Sequence, residues 1–433
     1  MAQVVKIYAL LLGSALLMFG GGLQGLLMSV RGAEEGFSLI ALGLIGTGWS
    51  IGFVAGSVSV PLLVRRVGHI RTYSVMSVMG GMTILLNLLW INDVGWIVTR
   101  AFSGFCFAGA AMVVESWLNE VSDNKSRGTM FSVYVTINMA ASTIGQLAMS
   151  ITGTAGYLPF VIGALAFMGA VLPTAVSTIK QPNQLASARL DLRLLIRTSP
   201  VAVVAAFAVG MTNGTFGTLA PVYGFMLGLN AASIAVIMAL PAVAAALAQI
   251  PLGRLSDNMD RRYVLIGTSL VAALVGIVAV VFNPGDGWLL YALFGFYGLA
   301  AYPVYAIAVA HANDHARDGE FAVIASGMLL IYGTALAVGP ILASFIMEFT
   351  GPIGMFMVTA TFHLLLAGFA FLRIRMRDPV PAEARAPFLA VPLGRNATPE
   401  TVAFDPRADE TVASAESVDE PMEPAPDEAA KPD

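Results

Sequence analysis

Of 433 residues, 57% are apolar and only 12% charged, with a mean hydropathy of +0.78, where soluble proteins carry about 25% charged residues. That excludes a water-soluble globular domain and leaves room for about a dozen membrane spans of roughly 20 residues each. The net charge of −4 joins two unlike regions: residues 1–377 hold 19 Lys/Arg against 14 Asp/Glu, net +5, and residues 378–433 hold 4 against 13, net −9.

Apolar spans fall at about 7–30, 38–63, 72–92, 95–118, 128–152 and 157–179, then at 200–226, 231–253, 263–282, 287–311, 321–347 and 353–374. The predicted fold is an all-α membrane protein of twelve transmembrane helices in two groups of six. Residues 1–180 form the first six-helix bundle, 181–199 a linker, 200–377 the second bundle and 378–433 an acidic tail. The first apolar run, after Lys6, is too long for a signal-peptide core and lacks an A-x-A site, so it is a span that stays. In the linker, Arg189, Arg193 and Arg197 recur every four residues with Leu190, Leu194 and Leu195 between them. That pattern predicts a short amphipathic helix on the membrane surface. The tail is rich in Pro, Ala, Glu and Asp with few aromatics, a composition expected to remain disordered.

Polar residues within the spans are the candidate site. Span 1 places Gln24 among Gly20, Gly21, Gly22 and Gly25, and span 7 places Asn213 among Gly210, Gly214 and Gly217. Small residues let helices or substrate approach closely, so spans 1 and 7 are expected to form the cavity. Asn138 and Gln146 of span 5 add amides, and Tyr134, Phe216 and Tyr223 add candidate walls. Span 4 carries Arg100 near its start and Glu115 near its end. An ionisable side chain in an apolar span costs roughly 3 kcal/mol on insertion scales and usually faces a bundle interior or wet cavity. Fifteen residues apart, the two are about 22 Å apart along a helix, so each needs a partner elsewhere. For Glu115 the expected partner is the basic loop with Arg65, Arg66 and Arg71, as a fixed latch or as a gate that forms in the outward-open state and breaks in the inward-open one. His363 of span 12 reads as structural. Cys106, the single cysteine, rules out an intramolecular disulfide and reads as small packing. No His/Cys cluster or Walker sequence occurs, so neither metal nor cofactor is expected, nor a nucleic-acid partner.

Lys and Arg collect in cytoplasmic loops of membrane proteins. With the N-terminus inside, the inner segments before the tail hold 17 Lys/Arg and the outer loops only Arg31. Both termini are therefore expected in the cytoplasm. A repeat joins the two halves: shifted by 192, Gly22 and Gly25 fall on Gly214 and Gly217, and Arg65–His69 on Asp257–Arg261. Shifted by 194, Gly104 falls on Gly298, Asn119 on Asn313, Glu120 on Asp314, and Gly145 on Gly339. Two homologous six-helix halves suit a rocking, alternating-access transporter.

Gly253-Arg254-Leu255-Ser256-Asp257-Asn258-Met259-Asp260-Arg261-Arg262 resembles the loop motif G-x-L-x-D-x-x-G-R-R of the major facilitator superfamily, with Asp260 where glycine is usual. The copy Pro61–His69 departs further, with Arg65 at the aspartate position. Arg100-Ala101-Phe102-Ser103-Gly104-Phe105-Cys106-Phe107-Ala108 is similar to that superfamily's span-4 motif, R-x-x-x-G-x-x-x-A, linked in proton-coupled members to coupling. The Gly-Pro ending the antiporter signature is missing, and Gly145-Gln146 stands there. ESWLN, a polar turn, RG and later GQL look like the bacterial YcaD-like branch. The resemblance implies a non-enzymatic secondary transporter of a small solute in a bacterial inner membrane, proton-coupled and monomeric, its only other partner the lipid bilayer. It makes Arg100, Asp257, Arg261 and Arg262 coupling and gating residues, beside the gate of Glu115 with Arg65, Arg66 and Arg71. In the last loop motif, Asp257 is expected at the start of the turn after span 8, capping exposed N–H groups, with Arg261 and Arg262 facing anionic lipid. A uniporter, which needs no titratable group, is the alternative, and a polytopic sensor or scaffold is a third reading.

Overall fold

The computed structural model describes residues 2–122, 127–176, 191–317, 320–381, Arg385, Phe388 and 397–404. Helices account for nearly all of them, and no strand occurs among the described residues. In chain order they are α1 (Ala2–Glu34), α2 (Leu39–Val67), α3 (His69–Leu89), α4 (Asp93–Val121), α5 (Arg127–Thr152), α6 (Leu158–Gly169), α7 (Val171–Ala175) and α8 (Leu192–Thr198). There follow α9 (Pro200–Met226), α10 (Ala231–Asn258), α11 (Arg261–Phe282), α12 (Trp288–Ala301), α13 (Pro303–Asn313), α14 (Phe321–Thr350), α15 (Gly354–Ile374) and α16 (Pro399–Phe404).

Two predicted spans are built of consecutive helices. Leu158–Ala175 joins α6 to α7, and Trp288–Asn313 joins α12 to α13, where Pro303 supplies no N–H to the helix ladder. Eleven helical stretches are long and apolar enough to cross a membrane. The twelfth pass, α5, has 26 residues but is more polar, with Ser132, Thr136, Asn138, Ser142, Thr143 and Gln146. The bundle's outer surface exposes large apolar side chains such as Leu62, Leu247, Val281 and Phe349. A soluble protein avoids so extensive an apolar surface; a bilayer accepts it.

Twelve passes return the chain to its starting side, here called the terminal face. Contacts there tie α8 and α11 to the end of α15: Arg377 donates to the Thr198 carbonyl at 2.9 Å, and Arg262 to the Arg373 carbonyl at 3.1 Å. The linker helix α8 starts at Asp191, whose side chain accepts from the Leu194 N–H. Leu195 is buried against Gly327 of α14, so α8 docks on the second bundle. Residues 177–190, with Lys180, Arg189 and Leu190, lie outside the described residues.

The internal repeat reappears as matched backbone contacts. A side chain at Gly22 would strike the Ser142 carbonyl and one at Gly145 the Phe19 carbonyl, drawing α1 onto α5. In the second half Gly214 faces the Leu336 carbonyl and Gly339 the Met211 carbonyl, drawing α9 onto α14. The same pairing recurs for Gly104 on Trp49 (α4 on α2) and Gly298 on Pro241 (α12 on α10). Every partner obeys the offsets read from the sequence. Without a hydrophobic force between helices in lipid, such close packing carries their association.

The halves meet tightly on the face opposite the termini. Gly46 of α2 fits against Thr218 of α9, Gly43 against Ser344 of α14, and the Thr47 hydroxyl donates to the Ala337 carbonyl at 2.6 Å. The molecule is closed there.

Candidate functional site

Glycines of α2 set the position of Arg100. Gly48, Gly52 and Gly56 lie against the carbonyls of Ile97, Ala101 and Phe105, so α2 and α4 touch backbone to backbone. Trp49 then lies beside Arg100, whose Cζ is 5.9 Å from the centre of the indole ring, a cation–π contact worth about 0.5–2 kcal/mol. Arg100 is 3% exposed. It lines a cavity of about 120 Å³ between the halves, with Ser142 and Gln146 from the first half and Asn213, Tyr302 and Tyr332 from the second. The Asn213 amide donates to the Tyr332 hydroxyl at 3.2 Å. The Asn213 and Gln146 carbonyl oxygens have no hydrogen-bond partner among the described residues. The site thus offers a fixed cation and two amide oxygens inside an aromatic and glycine-lined wall.

A second cavity of about 50 Å³ shares Met18, Ser142, Gln146 and Ala242 with the first. Its walls include Glu115, Tyr134 and Asn138. Glu115, 1% exposed, is the one carboxyl lining either cavity among the described residues. Tyr134 donates to its Oε1 at 2.8 Å, as does Thr401 at 2.8 Å, and Thr398 donates to its Oε2. The Asn138 oxygen accepts from Ser14 at 2.7 Å.

Of the predicted cavity residues, Asn138, Gln146, Asn213 and Tyr134 line these two spaces, and three do not. Gln24 is buried behind the wall, accepting from Ser103 at 2.8 Å. Phe216 is stacked on Tyr297 with centroids 4.3 Å apart, and Tyr223 packs edge-on against Phe356; both are core. The expected meeting of Glu115 with Arg65, Arg66 or Arg71 is not formed in this conformation. Those arginines are exposed, and Glu115 satisfies its oxygens with hydroxyls instead. Sequence reasoning missed Trp49, Tyr302 and Tyr332, since an aromatic in an apolar helix looks the same whether it packs or lines a cavity. It also missed Thr398 and Thr401, which belong to the acidic tail. His363 is fully buried near Tyr297, and Cys106 is a buried free thiol.

The profile of the Major Facilitator Superfamily matches residues 10–245 and again 202–407, two overlapping matches. The chain belongs to that superfamily. Similar relatives include the uncharacterized transporter YcaD of Escherichia coli and that of Shigella flexneri, each 25% identical over 343 residues, 78% of this chain and 88% of theirs. Among solved structures, the nucleoside transporter NupG superposes with a TM-score of 0.70 at 15% identity, over 87% of this chain and 100% of NupG. An inward-facing bacterial homologue of the human lysosomal transporter Spinster gives 0.73 at 14%, over 88% and 98%. The chain is therefore a multi-pass superfamily transporter and not an enzyme.

The superfamily loop motif between α10 and α11 closes into a charge network. Arg261, whose side chain is 1% exposed, meets Asp314 through Nε at 2.6 Å and Nη2 at 3.2 Å, Asp257 at 2.9 Å and Ser256 at 3.0 Å. This corrects two expectations. Asp257 lies in the last turn of α10, which runs to Asn258, and the residue capping α11 is Asp260, accepting from the Arg262 N–H at 3.0 Å. The arginines are buried within protein, not turned to lipid: Arg262 grips Asp260 at 2.6 Å and the carbonyls of Arg373 and Arg377. Burial pushes the Asp260 carboxyl up, but the bonds and charge of Arg262 outweigh it and hold the group below its usual 3.8. The aspartate in the superfamily's glycine position thus caps a helix and anchors an arginine. The first half has no such set, since Arg65 and His69 replace Asp257 and Arg261 at the repeat positions.

Proposed function

We propose that this protein is a secondary active transporter of a small solute bearing an anionic group, working by alternating access in a bacterial inner membrane with both termini cytoplasmic. The observation that carries the reading is Arg100, 3% exposed and on the wall of a cavity completed by Asn213, Tyr302 and Tyr332 of the other half. Guanidinium stays charged at every accessible pH and presents a planar fork suited to a carboxylate or phosphate. A solute held between Arg100 and Asn213 touches both halves, so its binding changes when they move. The closed contacts at Gly43 and Gly46 make the conformation one that opens toward the terminal face. Proton coupling is assigned to Glu115, the carboxyl of the adjoining cavity, in keeping with the Arg100 motif. The fold itself accommodates such coupling, as the D-xylose–proton symporter shares it with a TM-score of 0.59.

The test begins with a screen of small carboxylates, phosphates and neutral analogues for thermal stabilisation of purified protein, followed by counterflow in proteoliposomes. The expected hit is an anion whose stabilisation is lost in Arg100→Ala. Equal stabilisation of Arg100→Ala overturns the anion site. Solute-dependent acidification or alkalinisation supports coupling, and counterflow without any pH change makes the protein a uniporter.

A further inference from the structure

Part of the acidic tail enters the space between the two halves. Thr398 begins α16 in a capping arrangement: its N–H donates to the Thr401 hydroxyl at 2.8 Å, the Thr401 N–H donates back at 3.4 Å, and Pro399 takes the first helical position. Such reciprocal capping with proline at the first position is a strong helix start. The hydroxyls of Thr398 and Thr401 both donate to Glu115, deep on α4. Ala397, Thr398, Glu400 and Thr401 are all buried.

This segment touches both halves. Ala397 and Pro399 help line a gap between α2, at Phe53 and Ser57, and α14, at Leu330 and Gly333. Upstream, the Phe388 N–H donates to Asp257 at 3.0 Å, its ring covers Gly253, and Arg385 donates to the Asp257 carbonyl at 3.3 Å. The tail thus lies on the side of the molecule that is not closed by Gly43 and Gly46.

We propose that residues 397–402 form an intramolecular plug, docked between the halves on the terminal face and anchored on Glu115 by two threonine hydroxyls. The inference rests on the alternating-access reading in one respect: a plug touching α2, α4 and α14 together holds the halves apart on that face and keeps the opposite face shut. It also binds both carboxyl oxygens of Glu115, so the plug competes with the adjoining cavity for that group. Transport then requires the tail to leave.

Two measurements on the full-length chain, in a Cys106→Ala background, test the plug. First, Ala397→Cys is labelled with a hydrophilic maleimide, with Thr398 and Thr401 intact or both replaced by valine, which keeps their shape and removes the hydroxyls. Slow labelling is expected with the threonines and at least tenfold faster labelling without them. Equal, fast labelling in both overturns the plug, and equal, slow labelling overturns its anchoring on Glu115. Second, spin labels at Ile40→Cys and Phe345→Cys report separation on the opposite face. In the Thr398→Val/Thr401→Val protein a longer distance is expected to gain population. If labelling rises tenfold while the distance distribution stays unchanged, the plug docks but does not hold the conformation, and the regulatory claim is overturned. Should Gly46→Val also leave that distance unchanged, the failure lies with alternating access and not with the tail.

Discussion

Replacing Asp314 by asparagine should destabilise the second half more than the same change at Asp257, the other carboxylate that meets Arg261. Arg261 and Asp314 are 1% and 2% exposed as side chains, joined by bonds of 2.6 and 3.2 Å. Removing one partner of a buried pair leaves the other charge uncompensated and costs about 3–5 kcal/mol. The asparagine side chain would keep one acceptor but turn an amide N–H toward the guanidinium, while Asp257 and Ser256 still hold Nη1. The expected loss is therefore at the low end, about 3 kcal/mol. Spread over a half of roughly 180 residues, that lowers an apparent melting temperature by about 6–12 °C. The assay is thermal unfolding of detergent-purified protein at one fixed scan rate, beside Asp257→Asn as control. Asp257 is 35% exposed, so solvent screening holds its ion-pair loss to about 1 kcal/mol or less. A fall below about 3 °C for Asp314→Asn, or an equal fall for Asp257→Asn, would refute the reasoning that burial decides the strength of this network.

Arg100→Lys should keep the fold and the membrane level but weaken binding of an anionic solute at least tenfold, about 1.4 kcal/mol, as read by ligand-induced thermal shift; unchanged affinity shows that only a positive charge is needed. Gly46→Val should prop open the opposite face by collision with Thr218, seen as a longer distance between labels at Ile40→Cys and Phe345→Cys, and a distance like that of the parent protein contradicts the closed seam. A reporter active only outside the cytoplasm should work when fused after residue 285 and be silent after residue 378, and the reverse pattern overturns the proposed orientation. Asp260→Asn should loosen α11 by losing both the cap and the grip on Arg262, costing about 1–3 kcal/mol, with the same melting assay as the measure.

Hydropathy makes the twelve passes legible, because a span of roughly 20 apolar residues has few alternative folds. Glycines make the repeat legible, since a position with no room for a side chain leaves a mark in sequence. The polar wall of the cavity is only half readable. Gln146 and Asn213 face it while Gln24 turns away to Ser103, a difference of helix rotation that a single buried amide does not reveal. Glu115 stands out for its membrane cost, but its partners in this conformation are not in the nearest basic loop. They lie instead at Thr398 and Thr401, nearly 300 residues downstream, in a stretch whose composition predicts disorder. Composition describes an average over the tail and is blind to one six-residue helix inside it.

The glycine–carbonyl contacts carry a lesson about how the two copies of the half have diverged. Gly22 with Ser142, Gly145 with Phe19 and Gly104 with Trp49 have counterparts at the same offsets in the second copy. The charges have no such fidelity: Asp257 and Arg261 answer to Arg65 and His69. At these three contacts a heavier side chain would strike backbone in either copy and glycine stands in both, whereas Gly48, Gly52 and Gly56 answer to Leu240, Ala244 and Ala248. A loop at the water's edge tolerates many ways of settling its charges, and there each copy was free to change. Descent from one ancestral half is therefore written most legibly at those three contacts, where nothing is present but hydrogen.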